Sequence, residues 1–157
     1  MLCLRLATRF SSMGELIGAL VELRRREKCF AQAFDPAVII SERHLLLAYE
    51  NSRRAFEEKR NIANCMDGEM MARTGGTRKI KEALAKVGAR DLKNVLVCAD
   101  CGRKAEVLKA LGAKELKPTF VADEKEVAKR FGISAKMLKA YTLEQAVLEK
   151  VAMADAE

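Results

Sequence analysis

Two arginines flank a Gly-Gly turn near the middle of the chain, and the segment has the residue types of an anion-binding site. Residues 73–79 are RTGGTRK. Glycine allows a tight turn and a close approach of the backbone to a ligand, and Thr77 can cap a helix that begins there. The N-terminus of such a helix attracts anions, and Arg73 and Arg78 could clamp a phosphate from both sides. An ordinary strand-to-helix turn with solvated arginines fits the same residues, so the pattern alone leaves both interpretations open.

A lysine lies in the apolar stripe of the long helix that is predicted before this turn. The helix covers residues 42–63, and at about 100° per residue Lys59 falls in the middle of its apolar face. A lysine in that place usually extends along the surface until its ammonium group reaches water. The alternative is a positive charge held at the rim of a groove, where it would meet an anion.

Two cysteines form a C-x-x-C pair at a predicted strand-to-helix junction, residues 98–101. A helix N-terminus lowers the pKa of a thiol, so this placement suits a redox dithiol. The proline loop that faces the dithiol in thioredoxins does not fit, because Pro118 follows Cys101 by only 118 − 101 = 17 residues. A zinc site would need two more ligands, and Cys29 and Cys65 are scattered. Buried structural cysteines in an intracellular protein are therefore the preferred interpretation.

His44 is the only histidine, and it lies in the first turn of the long helix, close to Ser41. A structural role is expected there, because no serine or cysteine nucleophile signature surrounds it. No pair of carboxylates or cluster of metal ligands stands out, and the phosphate-loop pattern G-x-x-x-x-G-K-[S/T] is absent from the sequence. The sequence therefore predicts a binding protein without catalytic residues, cofactor or metal.

Composition limits the class of protein. A chain of 157 residues with 50% hydrophobic and 32% charged residues predicts one globular domain over residues 1–157. No run approaches the ~20 apolar residues of a membrane span, and the charged N-terminus resembles a first strand more than a signal peptide. The net charge of +7 favours a polyanionic partner. An aromatic content of only 5% argues against a surface that stacks many bases.

Caps, turns and periodicity predict the elements that would hold these residues. Capping boxes precede two helices, at Ser12 with Glu15 and at Thr142 with Gln145. Gly68 is predicted to end the long helix. Besides the helix that follows Ser12 and the long helix, helical segments are predicted at 36–40, 77–87, 102–111, 123–131, 134–140 and 143–153. Strands are predicted at 2–8, 29–34, 69–73, 95–98 and 117–121.

Several segments together resemble one family, the CGI-type small regulatory subunits of the KEOPS complex in their archaeal form. The similarity covers roughly residues 10–150, and its motifs are diffuse, so the agreement of many segments carries it. The residues concerned are His44-Leu45-Leu46 with Ala48, Ala55, Asn61-Ile62-Ala63, Glu69 and the stretch GTRKIKEAL at 76–84.

The resemblance implies an α/β fold of the α+β kind, in which helices cover a small, mainly antiparallel sheet. It implies a cytoplasmic, non-catalytic accessory subunit for threonylcarbamoyladenosine synthesis on tRNA. Family members bind and stimulate the KEOPS kinase/ATPase subunit, and archaeal relatives recruit tRNA through its single-stranded CCA acceptor end. Neither a cofactor nor a membrane is implied. An isolated copy is expected to be able to form a homodimer through a surface that a partner normally covers.

We place two sites on this basis, as hypotheses. The tRNA end would lie between the long helix and the Gly-Gly turn, and its predicted contacts are Lys59, Arg60, Arg73, Gly75, Gly76, Arg78 and Lys79. The kinase subunit would bind an apolar surface near the C-terminus, made of Leu138, Tyr141, Leu143, Val147 and Val151. The five residues of the second set fit a buried core equally well.

Two other classes of protein remain open at this point. A generic basic domain that binds RNA or other anions would bind many RNAs without needing a CCA end. A redox protein that uses the C-x-x-C pair would carry a reactive thiol of low pKa at Cys98 or Cys101.

Overall fold

A computed structural model describes residues 1–156 and shows seven helices and four strands in that range. The helices are α1 (Met13–Glu27), α2 (Glu42–Glu57), α3 (Met66–Thr74), α4 (Ile80–Val87), α5 (Lys104–Ala110), α6 (Glu124–Phe131) and α7 (Leu143–Ala156). The strands are β1 (Leu2–Ala7), β2 (Ala31–Phe34), β3 (Val95–Ala99) and β4 (Lys114–Leu116), and short 3₁₀ turns lie at Pro36–Val38 and Met137–Lys139.

The chain divides into two compact units. The sheet unit contains Met1–Pro36 and Ala89–Thr119, and the helical unit contains Ala37–Gly88 and the residues from Phe120 onward. The strands are ordered β2-β3-β1-β4, and each neighbouring pair is antiparallel. The predicted α+β class with a small antiparallel sheet is therefore confirmed.

The core of the sheet unit lies between one face of the sheet and two helices. Leu4 and Leu6 alternate along β1 and point to the same side as Val95 and Val97 of β3. Three leucines of α1 at helical spacing and Val107 of α5 complete this cluster. The N-cap of α1 forms as predicted, because the Glu15 N–H donates to Ser12 Oγ at 3.2 Å, but the Glu15 carboxylate accepts the Ser11 N–H at 2.8 Å where a capping box would use that of Ser12.

The strand predicted at 69–73 is wrong, because these residues belong to α3. Met, Ala, Arg and Glu are all good helix formers, and acidic residues in the first turn suit the positive end of the helix dipole. Gly68 lies inside this helix instead of ending α2. A Cβ at position 68 would lie 2.9 Å from the Ala63 Cβ, so the preceding loop packs where a side chain would stand.

The long helix is shorter than predicted, since α2 ends at Glu57. Lys59 has a φ of 58°, in the left-handed region, and the Arg60 N–H donates to the Ala55 carbonyl at 2.7 Å. This is the hydrogen bond that closes a left-handed helix end. Lys59 is therefore an exposed turn residue, and its predicted place in the apolar stripe of the helix is wrong.

Other boundaries also differ from the prediction. The last strand of the sheet is Lys114–Leu116, not residues 117–121, because Pro118 has no N–H for a ladder hydrogen bond. The helix predicted at 134–140 is reduced to one 3₁₀ turn. The capping box before α7 is confirmed, with reciprocal hydrogen bonds of 2.9 and 3.2 Å between Thr142 and Gln145.

The helical unit is built around α2, α3, α4 and α7. Leu45, Ala48, Ser52 and Ala55 form the buried face of α2 at helical spacing, and they lie in the same unit as the buried α3 segment. Residues at a chain end usually fray, but Asp155 is ion-paired with Arg73, and Glu157 lies outside the described residues. Within residues 1–156, no helix is long and apolar enough to cross a membrane.

Candidate nucleic-acid and partner interfaces

The Gly-Gly turn joins two helices, α3 and α4, instead of a strand and a helix. Gly75 is the C-cap of α3, and Gly76 has a φ of 62°. The N–H groups of Gly75, Gly76 and Thr77 donate to carbonyls of the last turn of α3 at 3.0–3.2 Å. These three donors are therefore occupied, and the predicted helix N-terminus with free N–H groups does not form at the glycines.

Packing explains why both positions are glycine. A Cβ on Gly75 would lie 2.8 Å from the Ala83 Cβ and 2.9 Å from the Ala83 Cα, so the turn touches α4 directly. A Cβ on Gly76 would lie 3.3 Å from the carbonyl carbon and oxygen of Lys150 in α7, and the positive φ adds strain for any side chain. The glycines thus allow three helices to approach one another.

Two side chains fix the carbonyls of this turn. His44 Nε2 donates to the Thr74 carbonyl at 2.8 Å, and Lys86 Nζ donates to the Gly75 carbonyl at 3.2 Å. Burial lowers the pKa of His44 to about 4, although the hydrogen bond to Thr74 opposes that shift. The neutral ring packs edge-on against Phe131 at 5.6 Å. The prediction of a structural histidine is therefore confirmed.

Arg73 is completely buried, which excludes the predicted clamp in this structure. Its Nε donates to Glu69 Oε1 at 2.9 Å, and its Nη1 donates to Asp155 Oδ1 at 2.7 Å. The other oxygen of Glu69 accepts the N–H groups of Ile62 and Ala63 at 2.7 and 2.9 Å. Arg73 thus connects α3, α7 and the loop after α2, and it presents no charge to solvent.

Two of the predicted phosphate contacts are exposed and form no ion pair among residues 1–156: Lys59 and Arg78. Lys79 is exposed but paired with Glu82 at 3.0 Å, and Arg60 is paired with carboxylates of its own loop and of α7. Lys59 and Arg60 follow the end of α2, whereas Arg78 and Lys79 precede α4. The predicted cations therefore belong to two segments of the chain, one before α3 and one after it.

The predicted kinase-binding residues divide into two groups. Leu138 and Tyr141 are 42% and 46% exposed, and with Leu143 they line an open cavity of about 420 Å³. Val147 and Val151 are fully buried in the helical unit. These two valines are core residues because they lie on the inner face of α7 with Ala146 and Ala154, so they cannot contact a partner directly in this structure.

The C-x-x-C pair is not a dithiol in this structure. Cys101 forms a disulfide with Cys29, and Cys98 is a buried free thiol. Burial raises the pKa of Cys98 well above its usual value, and the adjacent Cys3 raises it further. This is opposite to the shift that a reactive thiol needs. In the part of the chain that the structure describes, no three His, Cys, Asp or Glu residues are placed to hold a metal ion.

Comparison with known proteins gives a match that covers nearly the whole helical unit and most of the sheet unit. The family model of the kinase binding protein CGI-121 matches residues 11–155. The chain belongs to the CGI-121 family.

A curated relative of this CGI-121 chain is the KEOPS complex subunit Cgi121 of Pyrococcus abyssi (strain GE5 / Orsay). The two proteins are 33% identical over 82 residues, which is 50% of this chain and 47% of the relative. The alignment thus spans about half the length of each protein.

Two functional candidates of this CGI-121 family member were not predicted from its sequence. Lys86 donates to the Gly75 carbonyl, and Lys150 lies against Gly76. Both lysines fall within the matched range, on α4 and α7. Helical periodicity shows which face of each helix is apolar, but it does not show that these two helices meet at the Gly-Gly turn.

Proposed function

We propose that this chain is a non-catalytic accessory subunit of a KEOPS complex, which makes threonylcarbamoyladenosine on tRNA. In this role it binds and stimulates the kinase/ATPase subunit and recruits tRNA through the CCA acceptor end. The observation that carries the proposal is the CGI-121 match over residues 11–155. The KEOPS designation of the Pyrococcus relative supports the same complex.

The exposed cations support the tRNA part of the proposal. Lys59 and Arg78 are exposed and form no ion pair in the described residues, so both can meet phosphates without first losing a partner. Lys79 and Arg60 would have to exchange carboxylate partners for phosphate. We therefore assign the main phosphate contacts to Lys59 and Arg78, with Lys79 and Arg60 as secondary contacts and Arg73 as an internal support.

The tRNA part is tested by binding at fixed salt, with an intact transcript and with the same transcript lacking CCA. We expect trimming to weaken binding strongly. We also expect Lys59→Glu with Arg78→Glu to abolish the preference for the intact end. The matched control is Lys129→Glu with Lys139→Glu, which makes the same charge change at two other exposed positions of the helical unit. Equal binding of both transcripts by the wild type would remove the recruiter role.

An apolar surface supports the kinase part. Leu138, Tyr141 and Leu143 line one open cavity, and Glu124 and Lys125 lie at the same cavity. Exposed apolar side chains beside polar ones are typical of a protein interface. We therefore restrict the proposed kinase surface to these three apolar residues, because the two buried valines of the predicted set stabilise α7 instead.

The kinase part is tested by co-purification with the kinase subunit and by its ATPase rate. We expect Leu138→Glu and Tyr141→Glu each to weaken the complex while the free protein stays folded. Met153→Glu is the control, because Met153 is 55% exposed on α7 but does not line the cavity. If both cavity variants bind the kinase as tightly as the control, the kinase surface lies elsewhere.

A generic basic RNA-binding domain is the second candidate, and the net charge of +7 favours it. It differs from the first candidate in one measurable property, because a nonspecific electrostatic surface would bind intact and trimmed tRNA equally.

A further inference from the structure

Two lysines from different helices meet at the Gly-Gly turn. Lys86 of α4 places its Nζ 3.2 Å from the Gly75 carbonyl oxygen. Lys150 of α7 packs its backbone against Gly76, where an added Cβ would lie 3.3 Å from the Lys150 carbonyl oxygen and 3.5 Å from its Cβ. Consecutive residues of one turn thus contact one lysine each.

The charge of Lys150 also acts on Lys86. The pKa of Lys86 is lowered, first by its partial burial and next by the charge of Lys150, while Glu82 opposes the shift. The Glu82 carboxylate is already engaged by Lys79 at 3.0 Å and by the Thr77 hydroxyl at 3.1 Å. No carboxylate forms an ion pair with Lys86 or Lys150 in the described part of the chain.

A structural role accounts for only one of these lysines. Lys86 donates to a carbonyl at the C-terminus of α3, where a cation is favoured by the helix dipole, and its Nζ lies 5.5 Å from the centre of the Phe131 ring. Lys150 has no such contact for its ammonium group among residues 1–156. A second cation placed beside the first costs free energy, and the cost falls when an anion lies between them.

We propose that Lys86 and Lys150 together bind one phosphate group, which on the proposed function is a phosphodiester of a single-stranded RNA end lying against Gly76. Each ammonium has three donors, and Lys86 uses one of them on Gly75. At least two donors of Lys86 and the donors of Lys150 remain for phosphate oxygens. The N–H groups of the turn already donate to carbonyls of α3, so they cannot bind the phosphate. The lysine side chains would bind it in place of the backbone N–H groups that the sequence suggested.

This site differs from the exposed cations by its geometry. Lys86 is half buried and held by Gly75 and Phe131, so its position is fixed before a ligand arrives. Arg78 is exposed two residues after Gly76, close enough in sequence for the same strand to reach both. We therefore infer that Lys86 and Lys150 position one phosphate group, whereas the exposed cations attract the RNA without fixing its position.

The test measures binding of a short single-stranded RNA that ends in CCA, and of inorganic phosphate, by NMR of the backbone amides and by affinity at several salt concentrations. Lys150→Gln removes one charge without touching the bond from Lys86 to Gly75. We expect RNA affinity to fall several-fold and the slope of log K against log salt to shrink by about 0.7, the value for one ionic contact on a single strand. Lys150→Arg should restore both. Lys139→Gln, at an exposed lysine of the Met137–Lys139 turn, is the matched control.

The outcomes separate this proposal from the proposed function. If wild-type protein prefers the CCA end but Lys150→Gln binds with unchanged affinity and salt slope, the lysine pair is overturned and the recruiter role stands. If wild-type protein shows no preference for CCA, yet phosphate shifts the Gly76 amide in the wild type and not in Lys150→Gln, the pair binds phosphate and the recruiter role fails. If neither RNA nor phosphate shifts the Gly76 amide, the pair is overturned.

Discussion

Arg73 Nη1 lies 2.7 Å from Asp155 Oδ1, and this contact ties the last turn of α7 to the middle of the helical unit. Asp155 also attracts Arg60, whose Nη1 lies 3.6 Å from the same oxygen. Arg73 therefore points into the protein, and other residues supply the positive charge on the surface. A buried arginine needs such carboxylate partners, because an unpaired charge in the interior is very costly.

Removing the buried arginine should destabilise the protein strongly. Arg73→Met leaves the Glu69 carboxylate buried without its cation, and breaking a buried pair typically costs about 3–5 kcal/mol. Urea unfolding at neutral pH would measure the free energy of unfolding. Arg54→Met is the control, since Arg54 is half exposed and lies 3.9 Å from Asp155, and exposed pairs contribute less than about 1 kcal/mol. Equal losses in both variants would show that the buried ion pairs of Arg73 stabilise the protein no more than an exposed pair does.

Gly75 should not tolerate a methyl group. Gly75→Ala places a Cβ 2.8 Å from the Ala83 Cβ, and such overpacking costs about 1–3 kcal/mol. Gly18→Ala is the matched control in α1, because its Cβ would meet nothing within 4 Å. The control should gain about 0.5–1 kcal/mol from helix propensity. Thermal unfolding of both variants would check the opposite signs, and a stable Gly75→Ala protein would contradict the close approach of α3 and α4.

The single histidine should make stability depend on pH. The pKa of His44 is lowered from 6.5 to about 4 by burial, so the folded state favours the neutral ring. Between these two values the unfolded chain binds more protons than the folded chain. Stability from this group is therefore complete above pH 6.5 and is lost as the pH falls toward 4, by at most about 3 kcal/mol.

Urea unfolding at several pH values would measure this loss. His44→Gln should be less stable at neutral pH, because the bond to the Thr74 carbonyl changes, but its stability should vary less between pH 7 and pH 5 than that of the wild type. If both proteins lose the same free energy over that interval, carboxylates and not His44 dominate the acid response.

The cysteines should differ in their access to thiol reagents. The free thiols are Cys3, Cys65 and Cys98, and only Cys65 is exposed. We expect a bulky maleimide to label Cys65 quickly, Cys3 slowly and Cys98 only after unfolding, because burial raises the Cys98 pKa and blocks access. Peptide mapping without reductant should recover a linked Cys29–Cys101 pair. Fast labelling of Cys98 in the folded protein would restore the redox interpretation.

The local parts of the fold could be predicted because they depend on neighbouring residues. The side chains of Ser12 and Thr142 cap their helices by accepting the N–H of a residue three positions later, as predicted, and with Gln145 the reciprocal bond also forms. The uncharged, apolar run at 95–98 indicated a strand, and β3 is a fully buried strand. The strand predicted at 69–73 was wrong, because a short apolar run does not distinguish a strand from a buried helix.

At the Gly-Gly turn, the sequence predicted the exposure of Arg78 but not the contacts of the other residues. The sequence pointed to the Gly-Gly turn and its arginines, and Arg78 is exposed there as expected. Spacing alone could not show that Arg73, five residues earlier, points inward to Glu69 and Asp155. These positions are glycine for another reason than the one expected from the sequence. Ala83 and the Lys150 backbone lie too close to Gly75 and Gly76 for a Cβ to fit.

By itself, the sequence determined the capping residues of several helices, the apolar faces of the helices and the basic character, and its resemblance to a family implied the α+β class. Capping, periodicity and net charge can be read from the sequence because they depend on a few neighbouring residues or on the whole composition. Only the tertiary structure decided which charges are buried and which lysines meet at the turn. Asp155 contacts Arg73 across 82 residues of chain, and Lys150 of α7 packs against Gly76 in the turn after α3. Such contacts depend on how the helices pack, which no local sequence pattern shows.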